Sequence, residues 1–238
     1  MKNIFMGLVD LIFPALCKTC GKKMGADRQV CFCGSCWQSI RKIKEPFCVY
    51  CGKQLSLPGE HFCADCTVSR LSFVDNRSAG VYEGVLKEAL HEFKYKGKKK
   101  LGRSLGELMA EYLQANGGVE DINVIVPVPL SESKLEKREY NQAEILADYL
   151  GRVFELPVVK DVLARGKDTL PQYAASREER FKNINGAFDI KNPEKIKWAS
   201  ILLVDDLLTT GATADECSKM LLGADASQIR VFTLARGL

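Results

Sequence analysis

Four Cys-x-x-Cys pairs constrain this chain more than any other feature: Cys17/Cys20, Cys33/Cys36, Cys48/Cys51 and Cys63/Cys66. Two residues between thiols let one tight turn present both sulfurs to a single tetrahedral ion, and two such turns complete a closed four-sulfur structural zinc site. Taken in order, the pairs define two ribbons, 17–36 and 48–66, although interleaved pairing of the same turns satisfies the spacing equally. A segment of about fifty residues buries too little apolar surface to fold alone. Zinc, at on the order of 10–16 kcal/mol per site, supplies what the core lacks. No coordination position is left for a substrate, so two Zn2+ ions with a structural role are expected. Of the ten cysteines, Cys31 is then an unassigned thiol and Cys217 a buried helix residue.

Zinc rather than disulfides presupposes a reducing compartment. The N-terminal stretch predicts that address, because Asp10 interrupts its apolar run and no small-residue cleavage site follows. Ile4, Leu8, Leu11 and Ile12 fall at helical spacing and predict an amphipathic helix over 1–16, too short to cross a bilayer. A cytoplasmic location and the absence of a transmembrane segment are the expectations. The aromatic residues of the ribbons, Trp37, Phe47, Tyr50 and Phe62, either fill a minimal core or stack on bases; core filling is expected for most.

Charge sharpens the division. Residues 1–75 carry ten basic and six acidic side chains, so the whole formal +4 of the chain sits in the cysteine module. A zinc ion held by four thiolates keeps two negative charges. Two occupied sites therefore cancel that excess, and overall basicity gives no argument for nucleic-acid binding. The local distribution does: residues 94–103 hold Lys94, Lys96, Lys98, Lys99, Lys100 and Arg103, no acid, and Tyr95 between them. Lysines can pair with backbone phosphates while a ring stacks on a base, so the segment is a candidate contact for single-stranded DNA. A solvated inter-helix turn is the other account of it.

From residue 78 the pattern changes to apolar runs of strand length alternating with helical ones. Strands are expected over 79–82, 123–129, 158–163, near 188, and over 200–204 and 229–234. Helices are expected over 84–93, 101–114, 141–154 and 212–222, with a polar loop over 164–180. Such alternation implies an α/β domain with a parallel sheet covered on both faces, giving an order of 1–16 helix, 17–68 double zinc ribbon, 69–77 linker and 78–238 α/β domain.

Ligands of parallel sheets bind at the carboxyl ends of the strands. There, the run ending in Val204 is followed by Asp205 and Asp206, then by Thr209, Thr210, Gly211, Ala212 and Thr213 entering a helix. Hydroxyls and free N–H groups at a helix start hold an anion, and neighbouring carboxylates accept hydrogen bonds from sugar hydroxyls. A phosphorylated sugar meets both requirements. This run resembles the phosphoribosyl pyrophosphate (PRPP) signature of type I phosphoribosyltransferases. The resemblance implies a phosphoribosyltransferase-like domain in which Asp205 and Asp206 face the ribose and 209–213 hold the 5′-phosphate, with Mg2+ accompanying PRPP.

The cysteine ribbons, Val126-Pro-Val-Pro-Leu130, Arg138…Asn141-Gln142, Arg165…Thr169…Gln172, Arg180…Asn183…Gly186-Ala-Phe188 and the terminal Ala235-Arg236 together resemble the ComF family of competence proteins over nearly the whole chain. The family usually has Arg-Gly-Phe-Asn-Gln where this chain has Arg138-Glu-Tyr-Asn-Gln142. Relatedness to the transferases implies that 129–141 contacts pyrophosphate and that Arg165, Lys167, Arg177 and Arg180 clamp a polyanion. The family implies handling of single-stranded DNA during natural transformation, beside helicase-like and recombination proteins, with a PRPP or nucleotide ligand. The alternative is an active phosphoribosyltransferase with an unidentified nucleobase or amine acceptor; neither His61 nor His91 is placed by sequence as its general base.

Overall fold

The computed structural model describes residues 16–24, 31–57, 59–166 and 176–237. The expected helix over 1–16 lies outside them except for its last residue, as do Lys167, Thr169 and Gln172.

In each ribbon the second cysteine pair opens a one-turn helix, α1 (Gly34–Gln38) after Cys33 and α2 (Ala64–Val68) after Cys63. The α/β domain follows as β1 (Asp75–Val81), α3 (Gly84–Tyr95), α4 (Leu101–Ala115), β2 (Val124–Pro127), α5 (Glu132–Arg138), α6 (Gln142–Phe154), β3 (Leu163–Arg165), α7 (Arg177–Ile184), β4 (Phe188–Ile190), β5 (Ser200–Leu208), α8 (Ala212–Gly223) and β6 (Gln228–Arg236). Four strands pair in the order β1-β6-β5-β2, all parallel, while β3 and β4 form a separate antiparallel pair. Val158 adds a parallel bridge to Ile125 at the β2 edge.

Burial on both faces explains the nearly continuous apolar strands. On one side Phe93, Leu105, Met109, Leu146 and Leu150 of α3, α4 and α6 pack on Val204 and Phe232. On the other, Cys217 and Leu221 of α8 and Phe188 of β4 pack on Leu203 and Val231. Cys217 is fully buried there, as expected. Helices α4 and α6 approach closely because Gly106 has no side chain; a Cβ at that position would meet the Tyr149 ring at 2.5 Å.

Several boundaries differ from the sequence reading. Strand β5 runs to Leu208 and not to 204, because Asp205, Leu207 and Leu208 stay in register with Thr233, Ala235 and Arg236 of β6. Residues 69–77 are not a free linker: Leu71 and Phe73 are buried, the Ser72 N–H donates to Asp215 Oδ1 at 2.6 Å, and β1 already begins at Asp75. The run 158–163 splits into the bridge at Val158 and the short β3, which turns away to pair with β4. Residues 177–180, expected to end a loop over 164–180, instead open α7, started by a capping box in which Ser176 and Glu179 each accept the other's backbone N–H. A helix, α5, also interrupts 129–141.

The ribbons are fastened to this domain unequally. Cys17, Phe32 and Ile40 of the first join the core beneath α3 and α4. The second has a small cluster of its own, four cysteines with half-buried Tyr50 and Leu55. Backbone links carry both onto β1: Asn76 N–H donates to Tyr50 O at 2.6 Å and Val81 N–H to Arg41 O at 2.8 Å. Trp37 packs beside Phe32, and Phe47 lies under the Arg77 guanidinium, so both serve the packing; Phe62 packs tilted against Tyr50 but stays exposed.

Candidate functional site

The eight paired cysteines gather into two clusters, Cys17/Cys20/Cys33/Cys36 and Cys48/Cys51/Cys63/Cys66, each with sulfurs within 4.8 Å of one another. Pairing is therefore sequential. Zn–S bonds of about 2.3 Å in a tetrahedron separate sulfurs by roughly 3.8 Å. The Cys20–Cys33 and Cys51–Cys63 sulfurs lie 3.7 and 3.6 Å apart, so both clusters fit a zinc ion. Cys31 is buried beside Phe32, outside either cluster, and burial pushes its thiol above the ordinary cysteine value.

The two carboxylates lie within β5, at its carboxyl end. Alternation along a strand sends neighbouring side chains to opposite faces. Asp206 turns toward α3 and forms an ion pair with Lys94, Nζ–Oδ1 2.6 Å, both side chains being largely buried. Burial alone pulls the Lys94 ammonium down, but Asp206 and then Asp205 outweigh it and hold Lys94 above its ordinary value. Asp205 feels Arg165 and Cys217 on the other side, and its Oδ1 accepts the Asp206 N–H at 2.7 Å. Burial, and secondarily the Asp206 charge, push Asp205 up to about 7. Sequence placed Lys94 on a DNA-binding segment; the structure moves it into the carboxylate site, because it ends the buried face of α3 two residues before the exposed lysines begin at Lys96.

Beyond β5 the chain passes Thr209 and Thr210 and enters α8 at Gly211, whose φ of 86° lies in the left-handed region where a side chain is costly. Two arginines of α7 reach this loop: Arg180 Nη1 donates to Thr209 Oγ1 and Arg177 Nη1 to the Thr210 carbonyl, each at 3.0 Å. Arg138 stands elsewhere, donating to Gln142 Oε1 at 2.9 Å and to the Tyr95 hydroxyl at 3.2 Å with its guanidinium over that ring. It remains close enough to Lys94 to oppose that residue's charge. Arg165 lies over the Phe188 ring. Glu139, where the family usually has glycine, adopts φ 65°, a left-handed C-cap to α5; the chain keeps the glycine conformation without the glycine.

The remaining basic residues meet a feature that sequence did not identify. Lys98, Lys99, Lys100 and Arg103 line a cleft of about 830 Å3 whose far wall is Ile145, Tyr149 and Arg152 of α6. Only the tertiary packing of α4 on α6 brings that wall opposite the lysines. Lys96 is exposed outside the cleft lining, and Tyr95 is engaged by Arg138 and His91. Arg236, named from sequence only within the family resemblance and given no role there, is buried, and its guanidinium joins the 208–209 carbonyls to Cys51.

Fold and site thus define an α/β protein with a parallel sheet, two four-cysteine ribbons on one edge and an acidic strand end leading into a threonine-rich helix start. A family model described as a double zinc ribbon domain matches residues 8–67. Competence protein ComFC of Bacillus subtilis is 31% identical over 219 residues, 88% of this chain and 85% of that protein. DNA utilization protein YhgH of Escherichia coli is 26% identical over 96% of this chain and all of its own length. The chain belongs to the ComF family. Among solved structures, a glutamine PRPP amidotransferase from Bacillus subtilis is similar at 17% identity and a TM-score of 0.38, covering 56% of this chain and 25% of that one.

Among the described residues, no helix is long and apolar enough to cross a membrane.

Proposed function

We propose that this protein handles single-stranded DNA during DNA uptake, a reading supported by relatives named for competence and for DNA utilization, and that a phosphoribosyl ligand occupies the end of β5. The observation that carries the DNA reading is the cleft. Four cationic side chains from the start of α4 and its preceding turn face Tyr149 and Arg152 across a space of about 830 Å3, large enough for a base with its phosphates. Cations track the backbone and a ring or guanidinium plane stacks on a base, which is sequence-tolerant recognition. Arg152 lies 5.9 Å from the Tyr149 ring centroid, so a cation and a ring stand side by side on the wall facing the lysines.

For the second ligand, Thr209, Thr210, Gly211, Ala212 and Thr213 with Arg180 receive the 5′-phosphate, and Asp205 and Asp206 receive ribose hydroxyls, with Lys94 offsetting their charge. Mg2+ would accompany a pyrophosphate group, supplying charge neutralisation. Phosphoribosyl transfer from PRPP to an acceptor is the second reading of the same site, favoured by its place at the carboxyl end of a central parallel strand; pyrophosphate release in the presence of nucleobases distinguishes it.

The DNA reading is tested by fluorescence anisotropy on short oligonucleotides across a salt series. Each phosphate that a cation neutralises on a single strand contributes roughly 0.7 to the slope of log K against log salt. Lys98→Ala/Lys99→Ala/Lys100→Ala is therefore expected to weaken binding at every sequence and to reduce that slope by about 2. Binding of unchanged affinity and slope in the triple variant would remove the cleft from the account.

A further inference from the structure

Arg236, the last residue of β6, is 5% exposed and makes five hydrogen bonds, all to carbonyl oxygens or a sulfur. Nε donates to the Cys51 carbonyl at 2.9 Å and Nη2 to Cys51 Sγ at 3.5 Å. Nη1 donates to the carbonyls of Leu208 at 3.0 Å, of Thr209, and of Gly237 at 2.9 Å. One rigid fork therefore spans the ligand turn of the second zinc cluster and the first peptides of the threonine loop.

A guanidinium stays charged when buried, and a buried charge needs a counter-charge. The hydrogen-bonded neighbour able to supply it is the four-thiolate cluster, which holds two negative charges once zinc is bound. A second link runs in parallel: Arg177, which donates to the Thr210 carbonyl, lies 3.7 Å from Asp65, between Cys63 and Cys66. Two arginines of the α/β domain thus tie the carbonyls of Leu208, Thr209 and Thr210 to the second ribbon. Leu71, just after the ribbon, closes over Gly211, where an added Cβ would stand 2.8 Å from Leu71 Cδ1.

We propose that Arg236 is a positioning residue that makes the shape of the 209–213 loop depend on the metal-loaded second ribbon, so that this ribbon serves as a zinc-dependent brace for the anion site. The proposal rests on the phosphoribosyl reading only for the identity of the anion; the brace itself is a statement about the loop.

The test uses the full, zinc-loaded chain with Arg236→Gln and Arg236→Lys, and Arg77→Gln as a control, since Arg77 also joins ribbon to sheet, through Val49 O at 3.0 Å, without touching the loop. Zinc content, amide hydrogen exchange of peptides covering 205–215 and affinity for Mg–PRPP are measured on each. Arg236→Gln is expected to keep both zinc ions, to exchange its loop amides about ten- to a hundredfold faster and to bind Mg–PRPP weaker by a similar factor, the loss expected for charge-assisted hydrogen bonds. Arg236→Lys, which retains charge without the fork, should recover little; Arg77→Gln should match wild type. If Arg236→Gln does not fold, Arg236→Lys is read by the same criteria. Loop exchange unchanged from wild type, or accelerated equally by Arg77→Gln, overturns the brace. Absence of Mg–PRPP binding by the wild type refutes the ligand reading and leaves the exchange result to decide the brace.

Discussion

A Cys48→Ser/Cys51→Ser variant should bind one zinc ion per chain where the wild type binds two, and should lose the fold of residues 48–66. The reason lies in what else holds that ribbon together. Its buried apolar cluster consists, among the described residues, of the four cysteines with half-buried Tyr50 and Leu55 packed against them. Burial of that size offsets little of the cost of ordering nineteen residues at roughly 1–2 kcal/mol each for the backbone. Metal ligation, on the order of 10–16 kcal/mol, is the dominant favourable contribution. Metal analysis and limited proteolysis check it: new cleavage within 48–66 at one zinc per chain is the expected result, and two retained ions or unchanged protease resistance would refute it. The first ribbon should behave differently. Cys17, Phe32 and Ile40 belong to the main core, so zinc loss there should lower the stability of the α/β domain as well.

Lys94→Met is expected to cost about 3–5 kcal/mol, the range for removing one partner of a buried ion pair. Lys94 and Asp206 are 2.6 Å apart with side chains only 16% and 10% exposed, so Asp206 would be left as an uncompensated carboxylate. The pH dependence identifies the mechanism. In the wild type Lys94 is held above its ordinary value, so the stability it contributes is complete below the unfolded lysine pKa of about 10.4 and is lost as pH rises through the folded value. The Lys94→Met variant lacks this alkaline loss, so its deficit narrows as pH rises through the folded lysine value. Denaturant unfolding at several pH values measures this. Lys94→Met/Asp206→Asn should recover much of the loss at neutral pH; a double variant as unstable as the single one would assign Lys94 a packing role instead.

Much of this was legible in the sequence, and what was not has a physical pattern. The zinc clusters were readable because their chemistry is local: two thiols per turn, two turns per ion. Apolar runs gave the sheet and its helices for the same reason. The end of β5 was misplaced because Asp205 and Asp206 look like a strand terminus, while the register with Thr233, Ala235 and Arg236 extends pairing past them. Lys94 looked like the first of six exposed cations; only the docking of α3 on the sheet reveals its carboxylate partner. Tyr149 and Arg152 stand across from the lysines through helix packing that involves residues some fifty positions apart in the chain. Arg236 shows the limit most clearly, since a terminal strand residue carries no signal of a partner so far away as Cys51.

The most direct test of the ligand site is a calorimetric titration of the zinc-loaded chain with Mg–PRPP across pH 6–8, on wild type and Asp205→Asn. Asp205 sits at about 7, and a hydroxyl donates best to its ionised form. Wild-type affinity should therefore climb through this range. Asp205→Asn should bind about ten- to a hundredfold weaker, the loss of a charge-assisted hydrogen bond, and lack the part of the climb due to that carboxylate. No binding by the wild type, or equal affinity and an equal pH profile in the variant, would contradict the assignment of this site.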